Sequence, residues 1–483
     1  MIAALARPRD ARSPVGRSTM LAALSLASLL VVFDDSAVSV ALPSLQRDLR
    51  LDMDQLEWTL NAYTLGLATV LLLAGKLVDR LGARRALVIG LALFTAASVP
   101  AALAEGGGLL IAARAVQGMG AGFVAPASLA AITVLFPTAR RGLAIGVWSG
   151  LAAIGLGAGP LLGAVIVEYL GWSGLFLINV PLGVLLIGVA LSSAGAAPVE
   201  RVRGRLDVGG AATAGATLFF VLLALTRGGS DGWFSAPVLA LAAGALASGM
   251  AFARIEARAT DPVVPLEAFR SRQLVGATTV GLLSTAAMCS LFFFMSLYLQ
   301  SVAGYRVLAA GAVFLPMTAM IAIGSPLAGL AGNRITPRML AGTGMVILAA
   351  SMLLLARIED GLGVGGIVLG LTLAGVGVAM TATPVTTVAL AELPSSRQGL
   401  AGALVSTART VGLALGVAVM GAILGDAAGE TLTSRLSTGL QLNAAIASVG
   451  AIVAFFLLRA SPAPARSVAL LSGTKTEAEG GTS

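Results

Sequence analysis

The stretch VVFDDSAVSVALP, Val31–Pro43, decides how the chain is read. Two adjacent carboxylates, Asp34 and Asp35, interrupt a run from Met20 to Leu42 that is otherwise uncharged and mostly apolar. That run is long enough to cross a bilayer, which takes about 20 apolar residues. A carboxylate at such depth costs about 2.5–3.5 kcal/mol on insertion scales, so intramembrane acids usually face a pathway or a partner. Two readings follow, a functional site on a transport path and a structural ion pair between packed helices.

Composition points the same way. The chain is 57% hydrophobic and only 11% charged, with mean hydropathy +0.94. Soluble domains carry about 25% charged residues, so an integral membrane protein is expected. The apolar runs are long and lack period-two alternation, which selects helices over a barrel. Sixty glycines favour close helix packing. The net charge of +8 falls between the apolar runs, so the positive-inside rule accounts for it and nucleic-acid binding is not expected. There is no His, which excludes a His-based metal site and leaves proton handling to carboxylates. The single Cys289 excludes an intrachain disulfide. The first apolar run is too long for a signal h-region and holds two acids, so it reads as a retained span.

Fourteen spans are expected, near 20–42, 57–77, 85–104, 109–136, 142–168, 174–193, 207–226, 236–254, 273–301, 308–330, 339–356, 363–391, 398–424 and 440–459. With the N-terminus inside, 23 of 31 Lys and Arg fall on inner segments. Both termini are therefore expected in the cytoplasm. The expected organisation is a tail at 1–19, a six-helix half at 20–193, two inserted helices with their loops at 194–272, a second six-helix half at 273–459, and a disordered tail at 460–483. The loop 254–272, with Pro262 and Pro265, reads as a surface segment with some interfacial helix.

An internal repeat supports two halves. GKLVDRLGAR at 75–84 aligns with GLAGNRITPR at 329–338, matching Gly75 to Gly329, Arg80 to Arg334 and Arg84 to Arg338, with Asn333 in place of Asp79. Both copies follow a span running inward, the pattern of transporters built from repeats around a central site. In the first copy Gly75 and Gly82 permit close approach and positive φ. Asp79 can accept from helix-end amides or face the following arginines. Two arginines, Arg114 and Arg409, lie inside spans. Such a cation needs pairing or hydration. Asp34 and Asp35 are the acids available to Arg114; neighbours on a helix sit about 100° apart, so both cannot face it squarely. Arg409 either lines a cavity or ties two helices together. Gly155, Gly159 and Gly163 share one helix face, with a bend at Pro160. Asn61, Tyr63, Gln117, Asn179, Tyr298, Gln300, Thr383 and Thr387 are further cavity candidates.

Gly75–Arg85 (GKLVDRLGARR) resembles the loop between helices two and three of the major facilitator superfamily. More of the chain resembles that superfamily's fourteen-helix drug–proton antiporters. FDDSAVSVALP resembles their first-helix signature, with Asp34 nine residues before Pro43. LIAARAVQGMGAG (110–122) resembles the fourth-helix motif, and GLGAGPLLGA (155–164) the fifth-helix motif associated with antiport. WTLNAYTL (58–65), FLINVPLG (176–183), YLQSVAGY (298–305) and TARTVGLALG (407–416) also match family segments. Departures are Ser39 for a common Asn, Ala164 for a second Gly and Ser173 for an Arg after Trp172.

The resemblance implies an all-α major facilitator fold of two six-helix halves plus two inserted helices, working as a monomer in the plasma (inner) membrane. It implies export of lipophilic small molecules such as drugs, antibiotics or dyes, driven by protons and without a cofactor. Asp34 is the coupling acid it selects, with Arg114 acting on its protonation and Gly155–Gly163 acting as seal and pivot. Few midspan acids argue for neutral, monocationic or zwitterionic substrates. The alternatives are a dedicated exporter of one endogenous metabolite or lipid, and a non-transporting receptor or scaffold. With no His, no thiol pair and no GxxxxGK[ST] loop, an enzyme is not expected.

Overall fold

The computed structural model describes residues 9–10, 14–194, 207–425 and 431–459. Fifteen α-helices follow in order: α1 Pro14–Leu49, α2 Met53–Leu81, α3 Ala83–Ala102, α4 Gly107–Leu135, α5 Thr138–Leu177, α6 Asn179–Ser192, α7 Val208–Asp231, α8 Ala236–Glu256, α9 Arg272–Leu297, α10 Val307–Val313, α11 Leu315–Ala331, α12 Pro337–Leu355, α13 Val364–Glu392, α14 Gln398–Gly425 and α15 Leu432–Leu457. A two-residue parallel bridge joins Arg9–Asp10 to Ser193–Ala194. The expected disordered tail at 460–483 lies outside the described residues.

Thirteen helices among the described residues are long and apolar enough to cross a membrane. The expected sixth span is the exception. Gly171 takes φ 72°, which ends the fifth span; beyond it the backbone stays helical through Ile178 (φ −63°, ψ −27°) to Ser192, close to the expected 174–193, although α6 itself counts 14 residues. Helix α1 runs past the expected end at 42, with Pro43 inside it. The loop after α8 carries a short 3₁₀ turn, Leu266–Arg270.

The core falls in blocks that follow the sequence. One buried cluster runs from Met20 to Ala190 and is completed by Leu390 and Ala401. Another is built mainly from Val263 to Leu458. In the first block α1 packs on α5, and α2 and α3 pack on α4. In the second α12 packs on α13 and α15, and α14 on α9. Helix α7 packs on α8, α2 and α14, whereas α8 buries little of its surface. The blocks are joined mainly by α5 with α11 and α2 with α14, and to a lesser extent by α4 with α14 and α5 with α13.

The α5–α11 joint depends on small residues four apart. A Cβ on Gly142, Gly146 or Gly150 would lie 2.5, 2.3 and 2.6 Å from the backbone oxygens of Gly329, Ser325 and Ala322. Only glycine lets the backbones approach so closely, which replaces the missing hydrophobic drive between helices in lipid with van der Waals contact.

Candidate functional site

Asp34 is 2% exposed on α1 and Arg114 is fully buried on α4. Arg114 Nη1 donates to Asp34 Oδ2 at 2.5 Å, and Asn179 Nδ2 on α6 donates to Asp34 Oδ1 at 2.5 Å. The guanidinium also donates to Gln117 Oε1 at 3.2 Å and, through Nε, to the Thr59 carbonyl at 3.3 Å. Its carbon sits 4.2 Å from the ring centroid of Tyr63, a cation–π contact. Tyr63 in turn donates to the Val31 carbonyl at 3.0 Å. Gln117 donates to Ser98 Oγ at 2.8 Å, which draws in α3. Five helices thus converge on one ion pair.

The neighbouring acid is placed differently. Asp35 Oδ1 lies 3.6 Å from Arg114 Nη2, and its side chain is 41% exposed against 0% for Asp34. Nη2 has no hydrogen-bond partner among the described residues. The rotation of about 100° between neighbours explains the division. One carboxylate meets the guanidinium squarely; the other flanks it and reaches accessible space. A buried charge pair of this kind is costly to break from one side, about 3–5 kcal/mol when a partner is removed.

A cavity of about 190 Å³ lies between the two blocks, reached by Val32 on α1 and lined by α5, α9, α11, α13 and α14. Of the sequence candidates for a cavity, only Arg409 lines it. Tyr63, Gln117 and Asn179 point instead into the Asp34–Arg114 cluster, because buried polar groups must find partners. Thr383 ties α13 to the Ser325 carbonyl, and Thr387 bonds the Thr383 carbonyl. Tyr298 opens a π-helical turn after α9, and exposed Gln300 donates to Ser296 within that region. Asn61 is half-buried on α2 and away from the cavity wall. Sequence reasoning missed Ser149, Ser284, Thr285, Thr318 and Ser325 on that wall. Serines and threonines in apolar helices carry no signal of which way they face.

A sequence profile of the Major Facilitator Superfamily matches residues 24–417. The chain belongs to that superfamily. This facilitator is 32% identical over 415 residues to the tetracenomycin C resistance and export protein of Streptomyces glaucescens, covering 86% of this chain and 77% of that protein. It is 34% identical over 426 residues to the multidrug resistance protein Stp of Mycobacterium tuberculosis, again covering 86% and 77%. Its fold matches the proton:xylose symporter XylE with TM-score 0.64 at 15% identity, over 90% of this chain and 94% of that one, a likeness of fold alone. The facilitator is a multi-pass membrane protein.

In this facilitator the two repeated loops dock on opposite blocks. Asp79 accepts from the backbone N–H groups of Gly399 at 2.6 Å and Leu400 at 3.1 Å, capping the start of α14. Gly75 beside it packs on Gly399, where a Cβ would lie 2.8 Å from the carbonyl oxygen. Its counterpart Asn333 donates to the Ala139 carbonyl at 3.0 Å, at the start of α5. Gly82 takes φ 88° to turn α2 into α3, and Arg84 donates to the Leu191 carbonyl. Arg80, at the end of α2, is also engaged with a neighbouring group. Lys76 pairs with the Asp261 carboxylate and donates to the Pro262 carbonyl at 2.9 Å, fastening the loop after α8 to α2. Gly155, Gly159 and Gly163 do share one face with Pro160 inside the helix, and that face meets Leu29, Ser36 and Ala37 of α1.

Proposed function

We propose that this chain is a proton-coupled antiporter that exports lipophilic small molecules across the plasma (inner) membrane, with both termini cytoplasmic. The observation that carries the reading is the buried Asp34–Arg114 pair beside a mostly apolar cavity between two halves. Curated relatives named for antibiotic resistance and export support the direction and the substrate class. The positive-inside rule supports the orientation.

In this reading the glycine seam of α5–α11 and the Asp79 cap on α14 close the cytoplasmic end. The cavity then exchanges with the outside. A proton taken up there neutralises Asp34 and frees Arg114 from its main partner, which loosens α1 from α4. Asp35 stands ready to take over part of the pairing. The halves rock about the cavity, the cytoplasmic joints open, and the proton leaves as substrate enters. The proton gradient is the sole energy source, no cofactor takes part, and one chain suffices. The chain carries substrate without altering it.

The test uses efflux-deficient bacterial cells preloaded with a fluorescent lipophilic dye. Wild type is expected to expel the dye against its gradient until a protonophore is added, and Asp34→Asn to retain it at the level of cells without the protein. Dye export by Asp34→Asn equal to wild type would sink the assignment of the coupling acid.

A further inference from the structure

Among the residues that line the cavity, Arg409 carries the only full charge. Its Nη2 donates to Thr386 Oγ1 at 2.8 Å and to the Ala382 carbonyl at 3.4 Å, both neutral acceptors. It makes no ion pair among the described residues. Asp35 stands one turn along α1 from the cavity residue Val32 and flanks Arg114 at 3.6 Å with its side chain 41% exposed, but it is not among the residues that line the wall. Two hydroxyls supply a second observation. Ser149 on α5 and Ser325 on α11 are among the residues around the same cavity, are at least nine-tenths buried, and have enclosed hydroxyls with no hydrogen-bond partner among the described residues. Much of the remaining wall is apolar, with Leu156, Met288, Phe292, Met317 and Ile321 facing inward.

A guanidinium in a mostly apolar cavity, compensated only by neutral groups, attracts an anion more strongly than it would in water. Hydroxyls without partners can donate to the same anion once their side chains rotate into the cavity. A cationic ligand would meet a like charge and find no carboxylate on the wall. We infer that the cavity takes an amphipathic organic anion: an apolar body with one carboxylate or phenolate, bound by Arg409 and the hydroxyls of Ser149 and Ser325. This departs from the expectation of neutral, monocationic or zwitterionic substrates, because the acids counted there flank Arg114 and the one charge on the cavity wall is Arg409. It deepens the proposed export reading and rests on it only for the direction of transport. If a monoanion leaves as one proton enters, two elementary charges move inward together, so an inside-negative potential speeds the exchange.

The test is equilibrium binding to purified protein in lipid nanodiscs, without a proton gradient. Three tritiated probes share one naphthyl body: a naphthylbutyrate, its methyl ester and the matching trimethylammonium cation. Wild type is expected to bind the acid about tenfold more tightly than either other probe. Arg409→Gln is expected to erase that preference and leave the ester unchanged, whereas Arg409→Lys keeps part of it. Should Arg409→Gln not fold, Ser149→Ala with Ser325→Ala is expected to weaken the acid alone. Preference for the ester or the cation, no measurable binding of the acid, or equal weakening of all three probes by Arg409→Gln overturns the inference. Because binding is read without transport, the ranking can hold while antiport fails, and antiport can hold while the ranking fails. In liposomes, an inside-negative potential should accelerate proton-coupled export of the acid and leave that of the cation unchanged.

Discussion

Arg114 and Arg409 are both buried arginines in membrane-spanning helices, one in each half, and they are compensated in opposite ways. Arg114 is fully enclosed and meets two carboxylates, a cation–π face and two further polar groups of its own half. Arg409 is held by a threonine hydroxyl and a carbonyl, and its surface opens on the cavity. A buried charge is tolerated only with compensation, and the kind of compensation decides what the group can do. Where the partner is a carboxylate, the site can gain or lose a proton. Where the partners are neutral, charge compensation is left to whatever enters the cavity. In the proposed reading the N-terminal half holds the proton and the C-terminal half holds the charge of the cargo.

The comparison is broken most severely at Arg114. Arg114→Gln strands Asp34 and is expected to lower stability by about 3–5 kcal/mol. Arg409→Gln gives up one good and one long hydrogen bond from a charged donor, about 1.5–3 kcal/mol for the good one, offset in part because a charge is no longer buried. Denaturation in matched detergent should show the gap. Adding Asp34→Asn to Arg114→Gln should recover most of the loss, and equal destabilisation by the two single variants would remove the distinction.

Asp35→Asn sharpens the division between the two acids. It flanks the guanidinium at 3.6 Å and is partly exposed, so its loss should slow coupled export by less than about tenfold, below 1.4 kcal/mol in the barrier. Initial rates in vesicles measure this. Complete loss of coupling in Asp35→Asn would move the proton site to that residue.

The smallest effect concerns the two docking loops. Asp79 offers a charge to two amide donors at the start of α14, whereas Asn333 makes one neutral bond near the start of α5. Asp79→Asn makes the two copies alike and should weaken the α2–α14 joint by about 1 kcal/mol. Spin labels across that end should then report a larger open fraction. An unchanged distance distribution would show that the glycine contacts alone close it.

Much of this arrangement was legible in the sequence. The long uncharged runs marked the spans, and Asp34, Asp35 and Arg114 stood out because charge is rare at that depth. What could not be read was helix rotation. Tyr63, Gln117 and Asn179 look like cavity residues on polarity alone, yet a turn of about 100° per residue carries each into the ion-pair cluster. Arg409 had two readings for the same reason, and the structure satisfies both. The spacing of Gly142, Gly146 and Gly150 was as visible as that of Gly155, Gly159 and Gly163. Only the partner helix separates them, α11 for the first set and α1 for the second, and spacing does not name a partner. The boundary between the fifth and sixth spans is set by one glycine at positive φ, Gly171, which composition averages away.

The central claim is that Asp34 couples proton movement to export. It is tested most directly in liposomes holding purified protein and a pH-sensitive dye, with a proton gradient imposed and a panel of lipophilic acids, neutral compounds and cations added outside. The account predicts compound-dependent proton flux in wild type and none in Asp34→Asn. The same flux in both proteins would contradict it.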